Sequence, residues 1–251
     1  MATGRTDNRF TRAYIDGYDM SGYIRSVGPL STVFPTDEQA ALSDGIKNSL
    51  LGQASITPTV FNGFLDNTAT SGLHVITNAA NTARTIMLPI GIRAAPAQGD
   101  PVFCGIYNQL DYSMEGTDYV FANIQFGMWD SANRIAYQKA WGILLHAKAA
   151  KTAANSATGG VDNTAASTAG GYFAYQVFSG DGTATLSVDD SADDTTYAAL
   201  SGATSGSIDC STVKYGIVAL GVTATVRRYL RWQLALGTAT TVTFASAFVR
   251  G

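Results

Sequence analysis

Nucleophilic catalysis needs an activated Ser or Cys, a base beside it and a third group to orient the base. This chain offers little from which to build one. Its only histidines are His74, in Gly72-Leu73-His74-Val75, and His146, in Leu145-His146-Ala147, and neither sits in a catalytic motif. Both read as structural polar residues. No nucleophile elbow, phosphate-binding loop or dinucleotide fingerprint occurs in the strand–turn–helix context it requires. Cys104 and Cys210 stand about a hundred residues apart in apolar, strand-like segments, with no CxxC between them. They read as buried thiols rather than a disulfide, and a zinc site has almost no ligands to draw on.

Two charged features remain. Asp189-Asp190-Ser191-Ala192-Asp193-Asp194 is the best candidate for a hard cation, which wants several oxygens converging from a tight loop. It lacks the glycine for a sharp turn and a distal Glu to close the loop, so a solvated hairpin loop is the expectation. The second feature is Val226-Arg227-Arg228-Tyr229-Leu230-Arg231-Trp232-Gln233-Leu234. Period two puts Val226, Leu230, Trp232 and Leu234 on one face and Arg227, Tyr229, Arg231 and Gln233 on the other. Guanidinium and aromatic groups together could bind phosphates or stacked bases. In an acidic chain they fit better as inter-subunit or cross-strand pairs, because Arg and Tyr anchor protein interfaces. No catalytic, cofactor-binding or metal site is assigned, and no enzymatic activity is expected.

Composition points the same way. Only 14% of the 251 residues are charged, the net charge is −3, and Ala, Gly, Thr and Ser fill the gap. A basic nucleic-acid binder is excluded by that balance, and charge-driven disorder by the 10% aromatic content. Small hydroxylated residues cost little to desolvate, so such a surface suits burial against other subunits. The opening residues lack the apolar core of a secretory signal, and no apolar run is long enough for a membrane anchor.

The elements that must carry these residues are mostly strands. Residues 1–35 read as an N-terminal arm punctuated by Asp16-Gly17, Ser21-Gly22 and Gly28-Pro29, carrying Arg5, Arg9, Arg12 and Arg25. Docked on a neighbouring subunit, the arm would make Tyr14, Tyr18, Tyr23 and Arg25 interface candidates, alongside Arg227, Tyr229 and Arg231. A helix is expected over 36–52, from a Thr36/Gln39 capping box, Asp37 and Glu38 in its first turn, a Leu42/Ile46/Leu50 stripe and Gly52 as the stop. A shorter helix is expected over 71–81. From Thr85 the apolar period becomes two, through Val102, Cys104, Ile106, Val120, Ile124, Phe126 and Met128, making 36–147 a β-rich domain with flanking helices. Residues 148–171 are nearly all small and polar and read as a linker or long loop. Strands over 172–178, 183–188, 213–220, 225–236 and 240–249, with Ser201-Gly202 as a turn, make 172–251 a second β-sandwich-like domain or the second half of one sandwich. The fold class is therefore mainly β, a sandwich or barrel with one or two short helices. Asp66-Asn67-Thr68-Ala69 is echoed by Asp162-Asn163-Thr164-Ala165, too briefly to define a duplication.

Three phrases carry a resemblance. Ala13-Tyr14-Ile15-Asp16-Gly17-Tyr18-Asp19-Met20-Ser21-Gly22-Tyr23, Phe61-Asn62-Gly63-Phe64-Leu65-Asp66-Asn67-Thr68 and Val226-Arg227-Arg228-Tyr229-Leu230-Arg231 look like the structural proteins of tailed bacteriophages. They most resemble the major tail (tube) proteins of long-tailed, non-contractile phages. The resemblance implies a virion location after assembly in the host cytoplasm. It also implies hexameric rings of this chain stacked into a tube, contacts with other tail proteins, and DNA passing without specific binding. A head-to-tail interface that closes makes a ring, and a repeated acidic subunit gives a wall that repels phosphate. A capsid decoration protein, or a carbohydrate-binding tail module stacking sugars on Trp129 and Trp141, would share the same composition.

Overall fold

In a computed structural model, the described residues are 7–33, 36–38, 49–51, 55–56, 59–116, 118–128, 139–153, 155–156 and 159–251. The chain is mainly β, as expected. The first elements are β1 (Tyr14–Ile15), β2 (Tyr18–Asp19), β3 (Ile24–Val27) and β4 (Thr59–Phe64), followed by the single turn and a half of α1 (Leu73–Thr77). Next come β5 (Thr82–Pro89), β6 (Pro101–Glu115), β7 (Phe121–Met128) and β8 (Trp141–Lys151). The last six are β9 (Gly171–Gly180), β10 (Thr183–Ser191), β11 (Ala198–Asp209), β12 (Lys214–Ala219), β13 (Tyr229–Leu236) and β14 (Val242–Arg250).

Among the described residues, eleven strands form one curled sheet in the order β12-β9-β14-β8-β6-β7-β4-β3, with β5 also on β6, β1 on β5 and β2 on β1. Strand β6 is the hinge of this arrangement. One edge of it pairs with β5 from Val102 to Gln109, while the other takes β8 at residues 101–103 and β7 from Tyr107 onward. The sheet thus branches into two limbs, and the strands after residue 171 join the strands of the first half. A smaller sheet, β13-β10-β11, covers one face of β9 and β14.

Alternation sorts the side chains into three cores. Phe173, Tyr175 and Val177 of β9 face the small sheet and meet Leu186, Val188, Leu230 and Trp232. Tyr172 and Ala174 face the opposite way, toward Tyr14, Met87, Val102 and Cys104. Phe103 and Tyr107 of β6 point into a third core with Ile15, Ile86, Phe61, Ile124 and Leu73. Both faces of β6 are therefore buried in its first half, so the even-numbered parity read from the sequence marks one of two buried faces. Cys104 and Cys210 are buried free thiols.

Several expectations are corrected. The ends of the expected 36–52 helix are antiparallel partners instead, Thr36↔Leu51 through Glu38↔Ser49. A helix rises 1.5 Å per residue and would hold those ends about 20 Å apart, so local capping and stripe signals are overridden by pairing. Gln39, Leu42 and Ile46 lie outside the described residues, as does Trp129. The 71–81 helix forms only over Leu73–Thr77, with the Thr77 hydroxyl donating to the Leu73 carbonyl at 2.6 Å. Residues 148–171 are threaded through the fold: β8 runs to Lys151↔Val242, Val161 pairs with Leu230, and Ser167 bridges Val226. Backbone pairing asks no hydrophobicity of a strand. Ser201-Gly202 lies inside β11, where Gly202 and Gly206 take φ of 84° and 65° and the register with β10 slips twice. Glycines in a strand often mark such bulges.

The N-terminal segment is also corrected: residues 13–17 and Met20 belong to the chain's own core. Tyr14 and Ile15 pair with Met87 and Ile86, and Ala13, Ile15 and Met20 are buried. Asp16 (φ 50°) and Gly17 (φ 83°) make the two-residue β1–β2 turn, as a type I′ hairpin requires. A Cβ on Gly17 would stand 2.8 Å from that of Val213, so β12 closes directly over the turn. Asp16 accepts from the Thr85 N–H at 2.7 Å and pairs with Arg84 at 3.1 Å. Burial raises its carboxyl pKa, although these two partners pull it down. Gln176 spans the gap, accepting from the Gly17 N–H and donating to the Thr85 carbonyl at 3.1 Å.

Candidate interaction surface

The two charged features of the sequence meet and largely neutralise each other. β10 and β13 are antiparallel with Asp189 opposite Arg231 and Asp190 opposite Leu230. Arg231 donates through Nε and Nη2 to Asp189 Oδ2 at 3.1 and 2.9 Å, and its guanidinium lies 4.0 Å from the centre of the Tyr197 ring. Asp190 accepts from the Arg227 N–H at 2.8 Å, with the Arg227 guanidinium 3.9 Å away. Both carboxylates are buried, so the first half of the acidic run is strand rather than solvated loop. The second half is the β10–β11 turn. Asp193 accepts from the N–H groups of Thr195 and Thr196, which hold its pKa far below the usual range. Asp194 accepts from the Gly160 N–H and the Tyr197 hydroxyl. Among the described residues no group of His, Cys, Asp and Glu is placed to hold a metal ion.

The histidines are equally engaged. His74 meets the Tyr112 hydroxyl at 2.7 Å. His146 sits where the β8–β14 register slips, its ring stacked on Phe244 at 4.2 Å and edge-on to Trp232 at 4.6 Å. Nδ1 stands 3.1 Å from the Phe244 carbonyl. Burial pushes its pKa down to about 4, against the pull of that carbonyl and with help from Lys151.

The interface candidates separate by exposure. Tyr14 is 4% exposed, edge-on to Phe178 in the chain's own core, and so is spent internally. Tyr18 and Tyr23 are half-buried against the core around Ile15. Tyr229 is half-buried beneath Arg228, which itself forks onto Asp162 at 2.8 and 2.6 Å. Arg25 is exposed, with its guanidinium 5.4 Å from the centre of the Phe121 ring.

Large exposed apolar side chains instead gather on the limb built by β4, β6 and β7. Leu110, Met114, Tyr119 and Val120 are 48, 56, 70 and 49% exposed on the β6–β7 hairpin, and Phe64 of β4 is 45% exposed, packed against Phe121 at 5.3 Å. β6 is fifteen residues long, well beyond the usual five or six, so its second half outruns the cores that bury its first half. Asp111, Glu115 and Asp118 are also exposed there, with no ion pair among the described residues. Sequence reasoning missed this limb. The available signal was the apolar Leu110/Tyr112/Met114 alternation; Tyr112 packs against the core around Ile15, whereas Leu110 and Met114 stay exposed. Trp141 is 42% exposed but leans edge-on against Phe103.

Among the described residues no helix is long and apolar enough to cross a membrane. No protein-family model matches the chain, and no curated protein matches it either. Among solved structures it is similar to the SPP1 Dit protein (gp 19.1), described as a paradigm of the hub adsorption apparatus in phages infecting Gram-positive bacteria. The identity is 9% and the TM-score 0.36, with 95% of this chain and 99% of that chain covered. That score falls short of a shared fold, and the functional reading rests on the molecule's own features.

Proposed function

We propose that this chain is a non-enzymatic virion structural protein, the major tail-tube subunit of a long-tailed, non-contractile bacteriophage. Copies assembled in the host cytoplasm close into hexameric rings, and the rings stack into the conduit for the genome, capped by other tail proteins. The observation that carries the reading is the β6–β7 limb. Leu110, Met114 and Tyr119 are large apolar groups left largely exposed among the described residues, and such groups mark interaction surfaces. The same limb carries Asp111, Glu115 and Asp118, which supply the negative wall along which phosphate slides without binding. The resemblance of the three sequence phrases to tube proteins agrees with this division of labour. Part of the remaining charge is neutralised inside the subunit, as in Arg231–Asp189 and Arg84–Asp16.

Sedimentation and negative-stain electron microscopy across rising protein concentration test the proposal. The wild-type chain forms rings or tubes. Leu110→Asp and Met114→Asp keep the β-sheet circular dichroism but raise the concentration for half-assembly about tenfold or more, as loss of a central apolar contact does. A wild-type chain that stays monomeric at every concentration and salt, or variants that assemble as it does, would sink the reading.

A further inference from the structure

One cluster of arginines has few carboxylate partners among the described residues. The turn Asn8–Phe10, the strand entry at Thr11 and Arg12, and the start of β3 enclose a cavity of about 210 Å³. Arg9, Arg12 and Arg25 line it, together with Thr11, Ser21 and Ser26; the Ser21 hydroxyl already donates to Asp19 Oδ1 at 2.5 Å, so Thr11 and Ser26 carry the hydroxyls left to donate. Local structure explains the convergence. Asp7 caps the turn by accepting from the Arg9 N–H at 3.0 Å, and the Arg12 N–H donates to the Pro89 carbonyl at 2.9 Å. Opposite, the β3–β4 register slips between Ile24 and Ser26, which releases Arg25 from the ladder.

The arginines are held by contacts that leave their charge intact. Arg12 Nη1 donates to the carbonyls of Arg9 at 2.9 Å and Thr11 at 3.1 Å, which orients its fork and consumes one nitrogen. Arg25 rests over the Phe121 ring, and neither it nor Arg12 has a carboxylate within ion-pair distance among the described residues. Arg9 pairs with Asp7 at 2.9 Å, but both side chains are more than half exposed, where such pairs contribute little. By contrast, Arg84, Arg227, Arg228 and Arg231 each meet an Asp. Three guanidinium groups, with the Arg12 fork oriented by its backbone contacts and the Thr11 and Ser26 hydroxyls beside them, are suited to an oxyanion that accepts several hydrogen bonds at once.

We propose that this cavity binds a phosphate-type dianion, either free or as the phosphomonoester of a small sugar. Arg12 supplies the fork, Arg25 the second charge and the Thr11 and Ser26 hydroxyls the remaining donors. Leu110, Met114 and Tyr119, on which the assembly reading rests, do not line the cavity, so the site is tested separately from that reading.

Calorimetric titration at low ionic strength with inorganic phosphate, and in parallel with glucose 6-phosphate, tests it. Saturable binding with Kd on the order of 1 mM or tighter is expected. Arg25→Gln, at an exposed position, weakens it about tenfold, and Arg12→Lys, which keeps the charge but loses the fork, also weakens it. Arg228→Gln, whose arginine already pairs with Asp162, leaves it unchanged. Tighter binding of the sugar phosphate identifies a borne phosphate, and equal or weaker binding identifies the free ion. The proposal is overturned if neither probe binds saturably, if binding survives the Arg12→Lys/Arg25→Gln double variant with native circular dichroism, or if Arg228→Gln weakens it equally.

Discussion

Mild acid should destabilise this protein through one side chain, His146. In the folded chain its ring is confined between Phe244 and Trp232 with a pKa pushed down to about 4, against 6.5 ordinarily. Once unfolded, the same imidazole takes up a proton as pH falls through 6.5, while the folded form refuses it until about 4. The unfolded state then holds more protons, and stability falls with pH across that window. Integrating the two titrations gives a loss of about 2 kcal/mol between pH 7 and pH 5, growing to about 3 kcal/mol below pH 4. The carboxylates ordinarily titrate near 3.8 and contribute little above pH 5, apart from Asp16, whose burial raises its pKa. Urea unfolding at the two pH values, for wild type and for His146→Gln, isolates the effect because every other group is shared. The glutamine retains a donor for the Phe244 carbonyl and titrates nowhere in this range. A wild-type loss under about 0.5 kcal/mol, or an equal loss in His146→Gln, would refute the argument from burial.

Two further outcomes follow from the packing. Arg231→Met strands the Asp189 carboxylate, 6% exposed, without its partner. The expected cost is about 2–4 kcal/mol, toward the lower end because Arg231 is itself 23% exposed. Adding Asp189→Leu should recover most of it in a double-mutant cycle read by urea unfolding. Deleting residues 1–27 removes Ala13, Tyr14, Ile15 and Met20 from two cores. Burial losses of about 2–5 kcal/mol for each of the three large side chains are as large as the usual 5–15 kcal/mol of total stability. The truncated chain should therefore lose its near-ultraviolet circular dichroism, and a cooperative unfolding transition in it would show that the segment is dispensable.

What the sequence determined by itself was whatever a strand or turn settles locally. The β13 alternation is one example: Leu230, Trp232 and Leu234 are buried because successive side chains on a strand must point to opposite faces. The Asp16-Gly17 turn is another, since φ above zero at both positions suits few residue pairs. Tertiary structure decided the rest, for reasons of distance. Asp189 and Arg231 lie forty-two residues apart, and nothing local shows that an apparent cation loop and an apparent anion-binding stripe are each other's partners. Small polar residues in 148–171 signal only a lack of hydrophobic drive, yet their backbones pair wherever a strand edge needs covering. A segment rich in Tyr and Arg reads equally well as docked on a neighbour or on itself. Only the register Tyr14↔Met87 shows that the nearest apolar surface belonged to its own chain, while Leu110 and Met114 in the second half of β6 stay exposed.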